Sequence, residues 1–308
     1  MGFDVQGVRF LLWAHRYGAR FRRTALIGRQ ELFIDPASLG HILKCYDLEK
    51  SEGEIKGLLT AANGFAEPLL TLLGAQDIKS VDASGYEGAS VVHDMNLKIP
   101  DSLQGSFSLV IDAGTLEHIF NFPTAIQNCM DMVEVGGHLL LMTPANNFMG
   151  HGFYQFSPEL FFRVCSDAQG FQVVKIILCE VDPGGRWYEV VDPAKARRRV
   201  EMVNSKPAYL MVLARRVRQV PVLTVAPQQS DYTVLWQESG SKPGISPTSA
   251  RPFYQRLIGG LSRRLSHAYR MVEPSGVAAR RVRPDPGVFI EVDWCPQPTT
   301  PPESMDRR

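Results

Sequence analysis

The strongest constraint on this chain is a regular alternation, between residues 24 and 217, of short apolar runs with helical patterns. Seven runs read as strands: TALIGRQELF (24–33), IKSVDAS (78–84), GASVVHDMN (88–96), FSLVIDAG (107–114), GGHLLLMTP (136–144), FQVVKIILCE (171–180) and AYLMVLARRV (208–217). Helices are expected over Ala37–Tyr46, Ala66–Leu73, Pro123–Met132 and Pro158–Val164; in the last, Ser157 caps the helix and Pro158 fills its first turn. Val135-Gly136-Gly137 reads as a helix-to-strand turn. Near-continuous apolar strands need cover on both faces, and the helices between them supply it. The expected fold is therefore α/β: a doubly wound, seven-stranded, mostly parallel sheet.

The flanks read differently. Residues 1–23 interleave charges with Phe10, Leu11, Leu12 and Trp13, which predicts an N-terminal amphipathic helix rather than a signal peptide. Gln6 stands where a myristoylation signal needs Ser or Thr. Beyond residue 217 the chain turns rich in proline and arginine, so 218–308 is expected to be a largely irregular tail. Within it Phe253, Leu257, Leu261 and Leu265 share helical spacing among arginines. That stretch reads either as a solvated segment or as a short basic helix near 251–270 that docks weakly on a partner or membrane. No run of about 18 apolar residues is present, so no transmembrane segment is expected. A net charge of +1 gives no global attraction to nucleic acid. The five cysteines include no CxxC pair, which suits reduced structural thiols in a cytoplasm better than a disulfide framework or a zinc site, and no metal site is expected.

In an open parallel sheet, ligands bind beyond the carboxyl ends of the strands. Asp82 ends the second strand, where a carboxylate accepts hydrogen bonds from a ribose diol; it reads equally as a turn aspartate before Ser84 and Gly85. Asp94 and Met95 end the third, as an acceptor for an adenine amine with an apolar partner, or as turn chemistry with Asn96. Asp112, Ala113 and Gly114 end the fourth, where small residues let a ligand approach the backbone. Asn146 and Asn147 end the fifth and lead into a loop carrying His151, Tyr154 and Gln155, placed as a lid.

The stretch from Ile78 to Glu180, and above all FSLVIDAGTLEHIFNFPTAIQNCMDMVEVGGHLLLMTP, resembles the class I S-adenosylmethionine-dependent methyltransferases, in particular their type 11 and type 12 small-molecule members. The resemblance implies a Rossmann-like methyltransferase fold whose final strand is antiparallel and inserted beside the sixth. It implies S-adenosylmethionine as cofactor, with Asp82 at its ribose, Asp94 and Met95 at its adenine, and Asp112 to Gly114 near its methionine end. The acceptor it implies is a small molecule or saccharide, methylated at oxygen, with His118 or His151 as the base. Glu117 is expected to be a solvated helix residue. The fourth strand lacks the Asn/Asp-Pro-Pro-aromatic sequence of DNA base-amine methylation, so no nucleic-acid substrate is expected.

The first strand departs from the pattern. A glycine-rich GxGxG loop should follow it, yet TALIGRQ offers only Gly28, then Arg29 and Gln30. Asp82 lies 54 residues after Gly28, against roughly 20 in dinucleotide folds, which requires an insertion. The helix Ala66–Leu73 then becomes the first crossover helix, with Asn63, Gly64 or Glu67 toward the cofactor; alternatively Arg29 or Gln30 obstructs the pocket. Two rival functions follow. One is a catalytically inactive binding or assembly module with this fold. The other is a nicotinamide-dependent oxidoreductase, disfavoured because no GxGxxG is present.

Overall fold

The computed structural model describes residues 2–239 and 285–295. The chain opens with β1 (Gly2–Phe3), α1 (Val5–Arg16), β2 (Arg23–Ile27), β3 (Glu31–Leu32), α2 (Pro36–Cys45), α3 (Glu52–Thr60) and α4 (Glu67–Leu72). It continues through β4 (Asp77–Asp82), β5 (Val91–Val92), β6 (Phe107–Ala113), α5 (Phe122–Met132), β7 (Val133–Asn146), α6 (Pro158–Val164) and β8 (Phe171–Glu180). It closes with β9 (Trp187–Val190), α7 (Pro193–Ala196), β10 (Ala208–Arg216), α8 (Ser230–Ser239) and β11 (Phe289–Val292).

One sheet dominates, in the order β11-β9-β8-β10-β7-β6-β2-β4-β5. β2, β4, β5, β6 and β7 run parallel, while β10 is antiparallel to both β7 and β8, which it separates. This is the reversed strand beside the sixth that the resemblance implied, and the chain has the expected Rossmann-like α/β fold. The expected seven strands become nine in this sheet. The two extra strands, β9 and β11, extend one edge as an antiparallel ladder.

The alternation of side chains along β6 explains its unbroken apolar run. Val110 enters a core with α5 and α6, through Ala125, Ile126, Cys129 and Phe161. Leu109 and Ile111 enter a second core with α1, α2 and α4, through Leu11, Trp13, Leu39 and Leu70. Every residue of β6 is buried because both faces are covered.

Several sequence expectations change in the structure. TALIGRQELF is not one strand: it ends at Ile27, turns at Gly28 (φ 70°), and resumes as β3, which pairs with β1 in a separate two-stranded sheet. GASVVHDMN contributes only Val91–Val92, a short edge. Gly136-Gly137 is a bulge inside β7 rather than a turn before it: Phe107 faces Val133 but Leu109 faces His138, and Gly136 takes φ 85°. Residues of the N-terminal helix are buried nearly all round, from Gln6 through Ala14. Its polar groups find distant partners instead of water. Gln6 accepts from Trp187 Nε1 at 2.9 Å, and Arg9 donates to Pro183 O and stacks 3.8 Å over Trp294. β11 is a piece of the proline-rich tail built into the sheet; the stretch near 251–270 lies outside the described residues.

Candidate functional site

The parallel strands reverse their order of progression at β2: the chain moves from β2 outward to β4 and β5, then returns to β6 on the other side. Such a switch point opens a crevice between the neighbouring strand ends. Ile27 is in register with Val81 on one side and Asp112 on the other, and Gly28 N–H donates to Val81 O at 2.7 Å. Gly28 therefore stands beside Asp82, as the insertion argument requires. The insertion is β3, α2 and α3, and α4 is the crossover helix into β4.

Asp82 is half-buried at the end of β4; its Oδ1 accepts the Ser84 N–H at 3.0 Å and its carbonyl accepts His93 N–H at 2.7 Å. A half-buried carboxylate at this place suits a diol. Asp94 is exposed and forms a turn with Asn96, whose backbone and side-chain N–H groups both reach Asp94 Oδ1 and hold its carboxyl below the usual range. Met95 is 4% exposed and belongs to the core, its carbonyl accepting from Asn128. The structure thus places Gly28 and Asp82 together, and turns Met95 away from the surface that Asp94 occupies.

Arg29 and Gln30 lie across the same crevice. Arg29 Nε pairs with Glu67 Oε1 at the start of α4 at 2.7 Å, Nη1 donates to Glu87 O in the loop after β4 at 2.7 Å, and the guanidinium sits 4.0 Å over the Phe65 ring. Gln30 is fully buried; its Nε2 donates to Ile27 O at 2.6 Å, as does Thr115 Oγ1 at 2.7 Å. Where the sequence analysis looked for a glycine-rich loop, a strap of this chain's own side chains stands instead. The deep end between β2 and β6 is filled by Gln30 and Thr115.

The end of β6 carries the second half of the site. Asp112 is fully buried, and its Oδ1 accepts the N–H groups of Thr115 and Leu116 at 3.1 and 3.2 Å. It folds the loop back on itself rather than facing solvent. Burial first, and the Glu117 charge second, push its carboxyl well above the ordinary range. Gly114 takes φ 94°, which lets the chain turn into a short 3-10 segment, Leu116–His118. Glu117 is the clearest correction: it is 1% exposed, not solvated, and burial pushes its carboxyl up to about 7.

What covers Glu117 is the loop after β7. Phe153 and Tyr154 N–H groups donate to Glu117 O at 2.7 and 3.3 Å, and Tyr154 Oη donates to Phe120 O at 2.7 Å. Gly152 makes this seat possible: a Cβ there would lie 2.7 Å from Glu117 O. The loop delivers His151, whose Nε2 is 3.6 Å from Glu117 Oε1 and whose ring centroid is 5.1 Å from that of His118. Both expected histidines thus meet at one spot, exposed to solvent on one side, above the buried Glu117. Desolvation, and then the neighbouring His151, lower the His118 pKa below its usual value. Sequence reasoning missed Glu117 because an acid beside a histidine looks solvated; only the glycine 35 positions later signals a close approach.

No protein-family model matches the sequence, and no curated protein matches it. Solved structures with a similar arrangement include the N-methyltransferase NodS from Bradyrhizobium japonicum (13% identity, TM-score 0.38, covering 68% of this chain and 93% of that one). A 1,6-didemethyltoxoflavin-N1-methyltransferase from Burkholderia thailandensis is 13% identical (TM-score 0.35, 70% and 78% covered). A possible histamine N-methyltransferase from Thermotoga maritima is 14% identical (TM-score 0.34, 69% and 91% covered). The fold assignment stands on the strand order itself, in which the reversed strand β10 lies between β7 and β8.

Proposed function

We propose that this chain is an S-adenosylmethionine-dependent methyltransferase that acts at an oxygen of a small-molecule or saccharide acceptor. The observation that carries the reading is the convergence of Gly28, Asp82 and Gly114 at the ends of three adjacent parallel strands, with His118 and His151 beside them. The cofactor supplies the electrophilic methyl group. The protein's part is alignment: Asp82 receives the ribose hydroxyls, the loop from Gly114 to His118 walls the crevice, and the loop from Asn147 to Gln155 closes over the acceptor. An acceptor hydroxyl placed at this wall meets the nitrogens of His118 and His151, which have room for its proton.

A specific observation favours a second reading. Arg29 and Gln30 fill part of the crevice with bonds of their own, as expected of an inactive binding module with this fold. Calorimetry with S-adenosylmethionine and S-adenosylhomocysteine separates the two. The enzyme reading expects saturable binding of both that Asp82→Ala weakens strongly. No binding at millimolar concentration contradicts it, and binding indifferent to Asp82→Ala overturns the ribose assignment.

A further inference from the structure

We infer that Glu117, His118 and His151 form a binding site for one divalent transition-metal ion. One ligand atom from each residue lies within 4.8 Å of the other two. Donor atoms around a shared ion at about 2.1 Å stand about 3–3.4 Å apart, so small rotations of two exposed imidazoles close the set. Two histidines and one carboxylate on one side of an ion leave its other positions open, the arrangement that binds zinc, iron, cobalt or manganese while keeping room for water or an oxygen ligand.

A second, independent observation points to a cation. Glu117 is 1% exposed, and its Oε2 has no hydrogen-bond partner among the described residues. Its one ion-pair partner among the described residues is His151 at 3.6 Å, and no lysine or arginine there comes within 4.0 Å. A buried carboxylate oxygen without a donor is costly unless a proton or a cation neutralises it, and the two imidazoles beside it are further ligands that only a metal cation would share. The backbone around the three ligands is also set in advance. Phe153 N–H and Tyr154 N–H bind Glu117 O on one side of His151, and His151 N–H binds Phe148 O on the other. Gly152 at φ 74° permits the contact. The phenyl ring of Phe148 lies 5.6 Å from the His151 imidazole and stacks on Tyr209, which holds the loop from behind.

The cysteine pattern gave no reason to look here, because His151 is brought from 33 residues downstream by the fold. Resting on the methyl-transfer reading, the open positions of the ion would take the acceptor hydroxyl and lower its pKa; its proton would leave to solvent as the oxygen takes the methyl group and the sulfonium becomes the neutral thioether.

The test uses the untagged full chain, stripped with a chelator, dialysed, and titrated with Zn2+ by calorimetry and with Co2+ by visible absorption. No S-adenosylmethionine is present, so failure here leaves the cofactor reading intact, and failure of cofactor binding leaves this site intact. One ion per chain is expected. His151→Ala, an exposed position that does not threaten folding, should weaken binding by roughly 100-fold, the scale at which even outer-sphere partners of a metal count. Glu117→Gln should do the same while the far-ultraviolet circular dichroism stays unchanged. Absence of binding overturns the inference. So does binding that survives His151→Ala and Glu117→Gln but is lost in Cys45→Ser, which would place the ion near His41 and Cys45 instead.

Discussion

Replacing Arg29 with alanine probes the strap across the crevice. The Arg29 side chain is 20% exposed and makes three contacts: the ion pair to Glu67, the hydrogen bond to Glu87 O, and the face of Phe65. A partly buried ion pair contributes up to about 1 kcal/mol, a cation–π contact about 0.5–1 kcal/mol and a charged hydrogen bond about 1 kcal/mol, before the entropy of holding the side chain is subtracted. A net value of about 2 kcal/mol follows, so Arg29→Ala should destabilise the chain by that amount in urea titrations. On the proposed methyl-transfer reading, the same contacts are released when a nucleoside reaches Asp82. Removing them in advance raises the fraction of binding-competent molecules, and about 2 kcal/mol corresponds to roughly a 30-fold gain in affinity for S-adenosylhomocysteine. Stability and affinity should therefore move in opposite directions. Calorimetry on the two proteins reads both effects. Unchanged or weaker binding in Arg29→Ala would show that Arg29 does not bar the crevice, and the strap argument would fail.

Two further outcomes are expected away from the crevice. His138 is 5% exposed, and burial, with Arg215 and Arg20 adding to it, lowers its pKa to about 4. The unfolded chain then takes up a proton near pH 6.5 that the folded chain refuses until about pH 4. Stability present above pH 6.5 should fall by about 3 kcal/mol across that window, a loss that His138→Leu abolishes in parallel denaturation curves; equal pH slopes in the two proteins would contradict the shift. Trp13 is 2% exposed, stacks 4.1 Å from Tyr17 and meets Trp187 edge-on at 6.0 Å. Trp13→Ala should cost about 3–5 kcal/mol in chemical denaturation, whereas a loss under about 1 kcal/mol would mean that α1 is a detachable appendage.

The legible parts of the fold were those dictated by local pattern. FSLVIDA announced a doubly covered strand because every residue in it except Asp112 is apolar or small, and α5 and α6 were legible because Pro123 and Pro158 mark their starts. The illegible parts depend on partners far away in sequence. Arg9 looks like a solvent-facing charge, yet Pro183 and Trp294 enclose it; β11 is four residues inside a proline-rich tail, with nothing but the edge of β9 to make it a strand. TALIGRQELF failed for the opposite reason. Its pattern continues through Gly28, and the turn is visible only as a positive φ. At the site, His118 and His151 were separately legible as titratable groups on strand-end loops, whereas the burial of Glu117 beneath them was not, since it requires the Gly152 backbone to come within contact distance.

The most direct test of the central claim is amide hydrogen exchange on the full chain with and without S-adenosylhomocysteine. Binding at the switch point predicts added protection at residues 28–30, 82–84 and 112–118, the three strand ends that register brings together. Protection confined to other segments, or none at saturating ligand, would contradict it.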